Sequence, residues 1–307
     1  MIREEPLTAT NNKVTYREAL PFWGVLCGLL TILYGPLLAH WYDGWLNKSI
    51  SIEHEYFSHG LIGLPFAAYI VWEQRDHWAA LPENRRFDPA QLFGLGLLGL
   101  GAILYLGRIP ESVDLSLPVI LAGLCLALKG WPGLKLQAFP LLLVFLSTPT
   151  PVPYLIEPYI LPLQSFIASC AGYILRHTGL DITVSGIYLL VGNRTVEVAP
   201  HCAGLKMLFT SVYVSLMLLY WTGAWRNRSR WFLYSLSAAA ISVIANILRN
   251  TALTFFHGTG QEAAFHWLHD GWGGDLYSAA MLGLLVVIVH GYEQWFPWQN
   301  ASPNPQS

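Results

Sequence analysis

Nine apolar stretches, most of them close to the length of a bilayer crossing, constrain this chain more than any motif does. A membrane-spanning helix needs about 20 predominantly apolar residues. Candidate runs fall at residues 20–42, 57–73, 90–106, 115–128, 134–150, 154–176, 202–221, 231–256 and 276–296. Charged residues make up only 12% of the chain, against about 25% in ordinary soluble domains. With a mean hydropathy of +0.42 and 13 Trp, these runs predict an all-α polytopic membrane protein. The same shortage of charge excludes a disordered chain, and it excludes a nucleic-acid partner held by a basic patch. Residues 1–298 read as a single integral membrane domain, and 299–307 as a polar, disordered tail. Met1 to Glu18 is polar and mixed in charge, unlike a signal peptide.

Lys and Arg in short loops orient such a chain. Arg3, Lys13 and Arg17, then Arg75, Arg85 and Arg86, then Lys129 and Lys135, then Arg226, Arg228 and Arg230 mark the cytoplasmic side. The opposite loops carry little beyond Lys48 and Arg108. If all nine runs crossed, the fifth run and the Arg226 cluster would demand incompatible sides. Run 154–176 contains Glu157, Pro158, Pro162, Gln164, Ser165 and Ser169, so it reads as a re-entrant or interfacial helix. About eight transmembrane helices remain, with both termini inside and residues 147–201 as one outward-facing insertion. Within it, Ile182–Val191 and Arg194–Val198 flank Gly192-Asn193, the pattern of an outward-facing β-hairpin. Such a hairpin either caps the bundle or offers an edge to an extended peptide.

Three reactive residues collect on the predicted outer face. Cys27, Cys125, Cys170 and Cys202 are far apart with no CxxC pair, which is neither a disulfide framework nor a zinc site. Only Cys202 stands at a polar boundary. It follows Pro200 at the start of the seventh run, where a helix N-terminus favours thiolate. Lys206, four residues on, would share its helix face. Arg249 lies inside an otherwise apolar run, seven residues before Phe256. A charge at that depth costs at least about 2.5–3.5 kcal/mol, so it marks a functional site or snorkels to the interface. His266 and His269 precede the ninth run, and either could act as a base for Cys202. A metal pair at that spacing lacks a third ligand motif, so neither a metal nor a cofactor is expected. His54 and His59 form a further outward pair.

Together these motifs resemble the exosortase/archaeosortase family of membrane cysteine transpeptidases. Glu197-Val-Ala-Pro-His-Cys-Ala-Gly-Leu-Lys206 is similar to its nucleophile motif, Asn246-Ile-Leu-Arg-Asn250 to its arginine motif, and His269-Asp-Gly-Trp-Gly273 with Tyr277 to its histidine motif. Ser58-His-Gly60 and the Pro-rich stretch Phe139 to Pro153 also fit. The family often carries Cys-Ser-Gly where this chain has Cys-Ala-Gly, a mark of a subfamily that leaves the nucleophile in place. The resemblance implies Cys202, Arg249 and His269 as the catalytic residues, His269 fitting the family spacing better than His266. It implies membrane-anchored substrate proteins with a C-terminal sorting signal, cleaved at the outer face of the cytoplasmic membrane through a Cys202 thioester. The acceptor is open between water and an amine.

Two other classes use the same residues. A proton-coupled transporter would suit an intramembrane Arg among histidines, but no internal repeat or matched broken helices are present. A non-catalytic membrane assembly factor would use Arg249 and the histidines only to dock a partner. A membrane acyltransferase fits less well, because its usual intramembrane histidine pattern is not found.

Overall fold

A computed structural model describes residues 11–46, 56–83, 88–107, 109–199, 204–224 and 227–295. In chain order the helices are α1 (Asn11–Leu46), α2 (Gly60–Glu73), α3 (Arg75–Ala80), α4 (Pro89–Leu106), α5 (Pro110–Leu136), α6 (Ala138–Ser147) and α7 (Val152–Ile156). A 3-10 turn (Glu157–Tyr159) leads to α8 (Leu161–His177) and to strands β1 (Ile182–Ser185), β2 (Tyr188–Val191) and β3 (Arg194–Glu197). Helices α9 (Leu205–Trp221), α10 (Arg228–Gly258), α11 (Glu262–His269) and α12 (Trp272–Trp295) complete the chain.

Among the described residues, five segments are long and apolar enough to cross a membrane: Gly24–Leu46, Pro89–Leu106, Pro110–Leu136, Arg228–Gly258 and Trp272–Trp295. Helices α2, α6 and α9 are apolar but shorter. Two of these three are extended by their neighbours. Gln74 continues the helical ladder of α2 into α3, with its N–H on Ile70 O and its carbonyl accepting from Trp78 N. Gln137 does the same between the end of α5 and α6, bonding Gly133 O and Leu141 N. The break between the fourth and fifth runs therefore sits at Gly130, whose φ of 62° no helix tolerates and which glycine adopts at little cost. Helix α8 is neither long nor apolar enough to span. It buries Gln164, Ile167, Ala168, Ala171 and Leu175 along one face and exposes Phe166 and Tyr173 on the other, the spacing of an amphipathic helix.

Helices pack here through small residues, because lipid offers apolar side chains no incentive to leave it. A Cβ on Gly94 of α4 would lie 2.5 Å from the Ala127 backbone of α5, and one on Gly101 would lie 2.3 Å from Ile120. The central core joins α2, α6, α9, α10 and α12 through Ile70, Leu143, Tyr213, Leu219, Tyr234 and Leu285. Ile32, Ile103, Phe232 and Val287 stay exposed, as side chains facing lipid do.

The bundle has two chemically different ends. At one, Lys129 donates to Leu81 O, Gln74 donates to the Tyr220 hydroxyl, and Arg230 pairs with Glu293. The basic residues Arg75, Lys129, Lys135, Arg228 and Arg230 belong to the helix ends and turns gathered there. At the other, Trp41 donates to Asp114 at 2.7 Å, and His59 Nε2 meets Leu146 O at 3.0 Å. The sheet and the ends of α10 and α11 lie at this second end.

The expected hairpin is a three-stranded antiparallel meander of order β1-β2-β3. Gly186, at φ 62°, turns the chain between Ser185 and Tyr188, so Ile182–Val191 is two strands rather than one. Gly192 provides the second turn as anticipated. Leu189 and Val191 pack with Ile167, Ala171 and Leu175 of α8, which covers one face of the sheet.

Candidate active site

Helix α10 positions most of the site. It starts on Asn227, whose side chain accepts from Ser229 N and Arg230 N, and it ends at Gly260, left-handed at φ 77°. That turn sends α11 back beside the last turns of α10. Arg249 consequently does not reach for solvent. Its Nη2 donates to the carbonyls of Leu268 at 3.5 Å and His269 at 3.4 Å, the electronegative C-terminal end of α11. Gly274 makes room for this contact, since a Cβ there would sit 2.9 Å from Leu268 O and 3.5 Å from Arg249 Nη2. Tyr277 of α12 donates to Ala245 O at 2.6 Å, one turn away on α10.

His269 is held on two sides. Its ring stacks on Phe265, with centroids 5.1 Å apart and planes 11° apart. Its Nδ1 lies 2.6 Å from Asp270 Oδ1. An ionised carboxylate only accepts, so Nδ1 carries the proton and Nε2 is the atom left for exchange. Burial works to raise the Asp270 pKa, but hydrogen bonds and charge from His269 and His266 outweigh it and hold the carboxyl below its ordinary value. His266 shares Asp270 through Oδ2 at 3.2 Å, yet its side chain is 66% exposed against 28% for His269.

A cavity of about 160 Å³ separates the two histidines functionally. Thr195, Val196 and Glu197 of β3 form one wall, and Asn250, Leu253 and His257 of α10 with Phe265 and His269 of α11 form the other. His266 is not on it. His59 is also apart from it, buried with its ring 4.4 Å from Tyr213. Arg194 at the start of β3 pairs with Glu262 and donates to His257 O at 2.8 Å, bridging the sheet to the α10–α11 corner. His54 lies outside the described residues.

Cys202 lies outside the described residues, as do Pro200, His201 and Ala203. Both flanks are anchored. Val198 is fully buried, its carbonyl accepting from Gln164 Nε2 at 2.7 Å. Gly204, at φ 81°, packs on Asn246 so closely that a Cβ would fall 2.6 Å from Asn246 Cγ. Asn246 stands three residues before Arg249. Left-handed Gly204 is the N-cap of α9, which begins at Leu205. The expected helix face shared by Cys202 and Lys206 involves a residue outside the described ones.

Sequence reasoning took Asn246 and Asn250 only as the ends of the arginine motif, Asp270 only within the histidine motif and as a possible metal ligand, and Gln164 only as a polar residue of run 154–176. Asn246 and Asn250 are 1% and 2% exposed, and Asn250 Nδ2 donates to Asn246 O and Oδ1. The buried Asn246 Nδ2 has no partner among the described residues. Two amides four residues apart in an apolar run were the available signal. Among the described residues no group of His, Cys, Asp and Glu could hold a metal.

The family model for transmembrane exosortases matches residues 45–286. No curated protein and no solved structure matches the chain.

Proposed function

Because this chain belongs to the transmembrane exosortase family, we propose that it is a membrane cysteine peptidase or transpeptidase acting on secreted proteins through a Cys202 thioester. The substrate is a membrane-anchored protein with a C-terminal sorting signal. The observation that carries this reading is the common dependence on α10. Arg249 holds the end of α11 that bears His269, and Asn246, one turn earlier, holds Gly204, two residues along the chain from Cys202.

The chemistry follows from the roles those groups can take. The Cys202 thiol gives its proton to His269 Nε2 and its sulfur attacks a backbone carbonyl carbon of the substrate. Arg249, a permanent cation, stabilises the oxyanion that forms. The tetrahedral species collapses, the C–N bond breaks, and the proton on His269 passes to the departing amine. Asp270 keeps the imidazole in the tautomer that presents Nε2. The thioester is then resolved by an acceptor nucleophile, water or an amine, whose proton returns through His269.

The five long apolar helices together with α2, α6 and α9 make eight crossings of the cytoplasmic membrane. The positive-inside rule puts the end with Arg75, Lys129 and Arg230 in the cytoplasm, and the cavity on the outer face. Amphipathic α8 lies along the interface. The test is processing of a co-expressed membrane protein from the same genome with a candidate C-terminal signal. Wild type should shorten it and Cys202→Ala should leave it full-length. Equal shortening by both would remove Cys202 as nucleophile.

A further inference from the structure

The outer edge of β3 is open, and its hydrogen-bonding direction can be read from the ladder. Val198 N–H donates to Ile187 O at 2.9 Å. Hydrogen-bonded pairs alternate along antiparallel strands, so Val196 and Arg194 also bond inward, to Leu189 and Val191. Thr195 and Glu197 therefore turn their N–H and C=O groups to the opposite edge. Among the described residues no strand follows β3 in the sheet, and no backbone hydrogen bond reaches Thr195 or Glu197 from that side.

Natural edges are usually covered or blunted by a charge, a proline or a bulge. Here the one cation on the strand, Arg194, is drawn aside to Glu262 and His257 O. What faces the edge is the cavity, with His269 and Phe265 across it. The two outward residues are about 7 Å apart, the repeat of a pleated strand. A partner that satisfies them must carry amide groups at the same repeat.

We propose that β3 is the docking strand for the substrate: an extended polypeptide segment next to the scissile bond adds as a fourth strand, bonding the backbone of Thr195 and Glu197 with His269 across the cavity. The identity of the occupant rests on the peptidase reading. The geometry of the edge does not. Strand addition reads backbone, so it holds a segment in one direction and register while leaving side-chain choice to the cavity walls.

The experiment is site-specific photocrosslinking in the full chain within membranes. Benzoylphenylalanine replaces Thr195 in a Cys202→Ala background, co-expressed with the membrane protein whose processing by wild type is scored in parallel. Thr183, exposed on β1 at the other side of the sheet, takes the same probe as control. The expected result is a substrate crosslink from position 195, mapping within a few residues of the cleavage site, and none from 183. In addition, Thr195→Pro removes one outward N–H without touching the β2–β3 ladder, and processing should fall about fivefold, the effect of one backbone hydrogen bond. No crosslink from 195, or an equal one from 183, with cleavage still dependent on Cys202, overturns the docking strand and leaves the peptidase reading standing. A crosslink from 195 with cleavage that survives Cys202→Ala keeps the docking strand and overturns the catalytic assignment.

Discussion

Helix α10 carries two partly or fully buried arginines, and their surroundings differ in kind. Arg230, near the N-terminal end, is 6% exposed and faces the carboxylate of Glu293 at 3.3 Å, with Tyr234 bonded to the same carboxylate. Arg249, deeper in the run, has no carboxylate among the described residues. It meets two carbonyls at 3.4–3.5 Å, and its buried Nε has no partner among the described residues. A cation with a full counter-charge fastens one helix end to another. A cation left with long contacts to neutral carbonyls retains attraction for a negative charge that arrives later. Composition cannot tell these two arginines apart; their partners do.

The sharpest break of the comparison is a pair of substitutions. Arg249→Leu should lower substrate processing at least about a hundredfold, the scale for removing an oxyanion-stabilising donor. Arg230→Leu should leave processing in the folded protein while costing about 3 kcal/mol of stability, because Glu293 keeps a buried charge without its partner. Processing assays alongside detergent melts measure both. Equal losses of processing from the two would erase the distinction.

Gly204→Ala comes next. The left-handed backbone alone costs an alanine about 1–2 kcal/mol, and the added methyl would press on Asn246. Processing should fall about tenfold with the protein still inserted. A trimmed partner, Asn246→Ala, should restore part of the loss if that contact is what matters.

Asp270→Asn should match Gly204→Ala, at about tenfold in rate, because the imidazole loses the anionic acceptor that holds its tautomer. Asp270→Glu should recover part of the activity. The folded carboxyl titrates below its ordinary value of 3.8. Its contribution is therefore present above that pH and is lost as pH falls below 3.8 through the depressed value, which melts taken on both sides of 3.8 would register in wild type and not in Asp270→Asn.

The smallest effect concerns Glu262. Its pKa is lowered first by the hydrogen bond from Arg194, so the tie between sheet and α10–α11 corner holds above the ordinary value of 4.5 and weakens as pH falls below it. The pair is exposed, so Glu262→Gln should shift the melting temperature only slightly. A large shift would mean that the sheet, like the Arg230 end, is fastened by charge.

The legible parts of this protein share a physical basis. Runs of apolar residues are a local property, and most helices follow them within a few residues, α1 starting earlier and α5 running on past Gly130. Proline at the first turn of α4 and α5 and the polar content of run 154–176 are equally local. The middle turn of the sheet was missed because Gly186 sits in a β-rich run and only its positive φ reveals a reversal. The run read from 202 appears as α9 from Leu205, capped by left-handed Gly204, a conformation the sequence alone does not reveal. Asn246 and Asn250 entered only as the ends of the arginine motif, and only packing shows Asn250 donating to Asn246 and Asn246 bracing Gly204.

Linear order was enough to establish the membrane class, the polar exception among the runs, and Cys202, Arg249 and His269 as the residues to examine, because bilayer length and the cost of buried charge act on the chain wherever it folds. The cavity that His269 lines and His266 does not, the seating of Arg249 beneath α11 and the edge of β3 facing that cavity were tertiary decisions. They depend on Gly260 reversing the chain and on the sheet docking across α8 and α10, and contacts between residues 19 to 63 positions apart leave no periodicity to read.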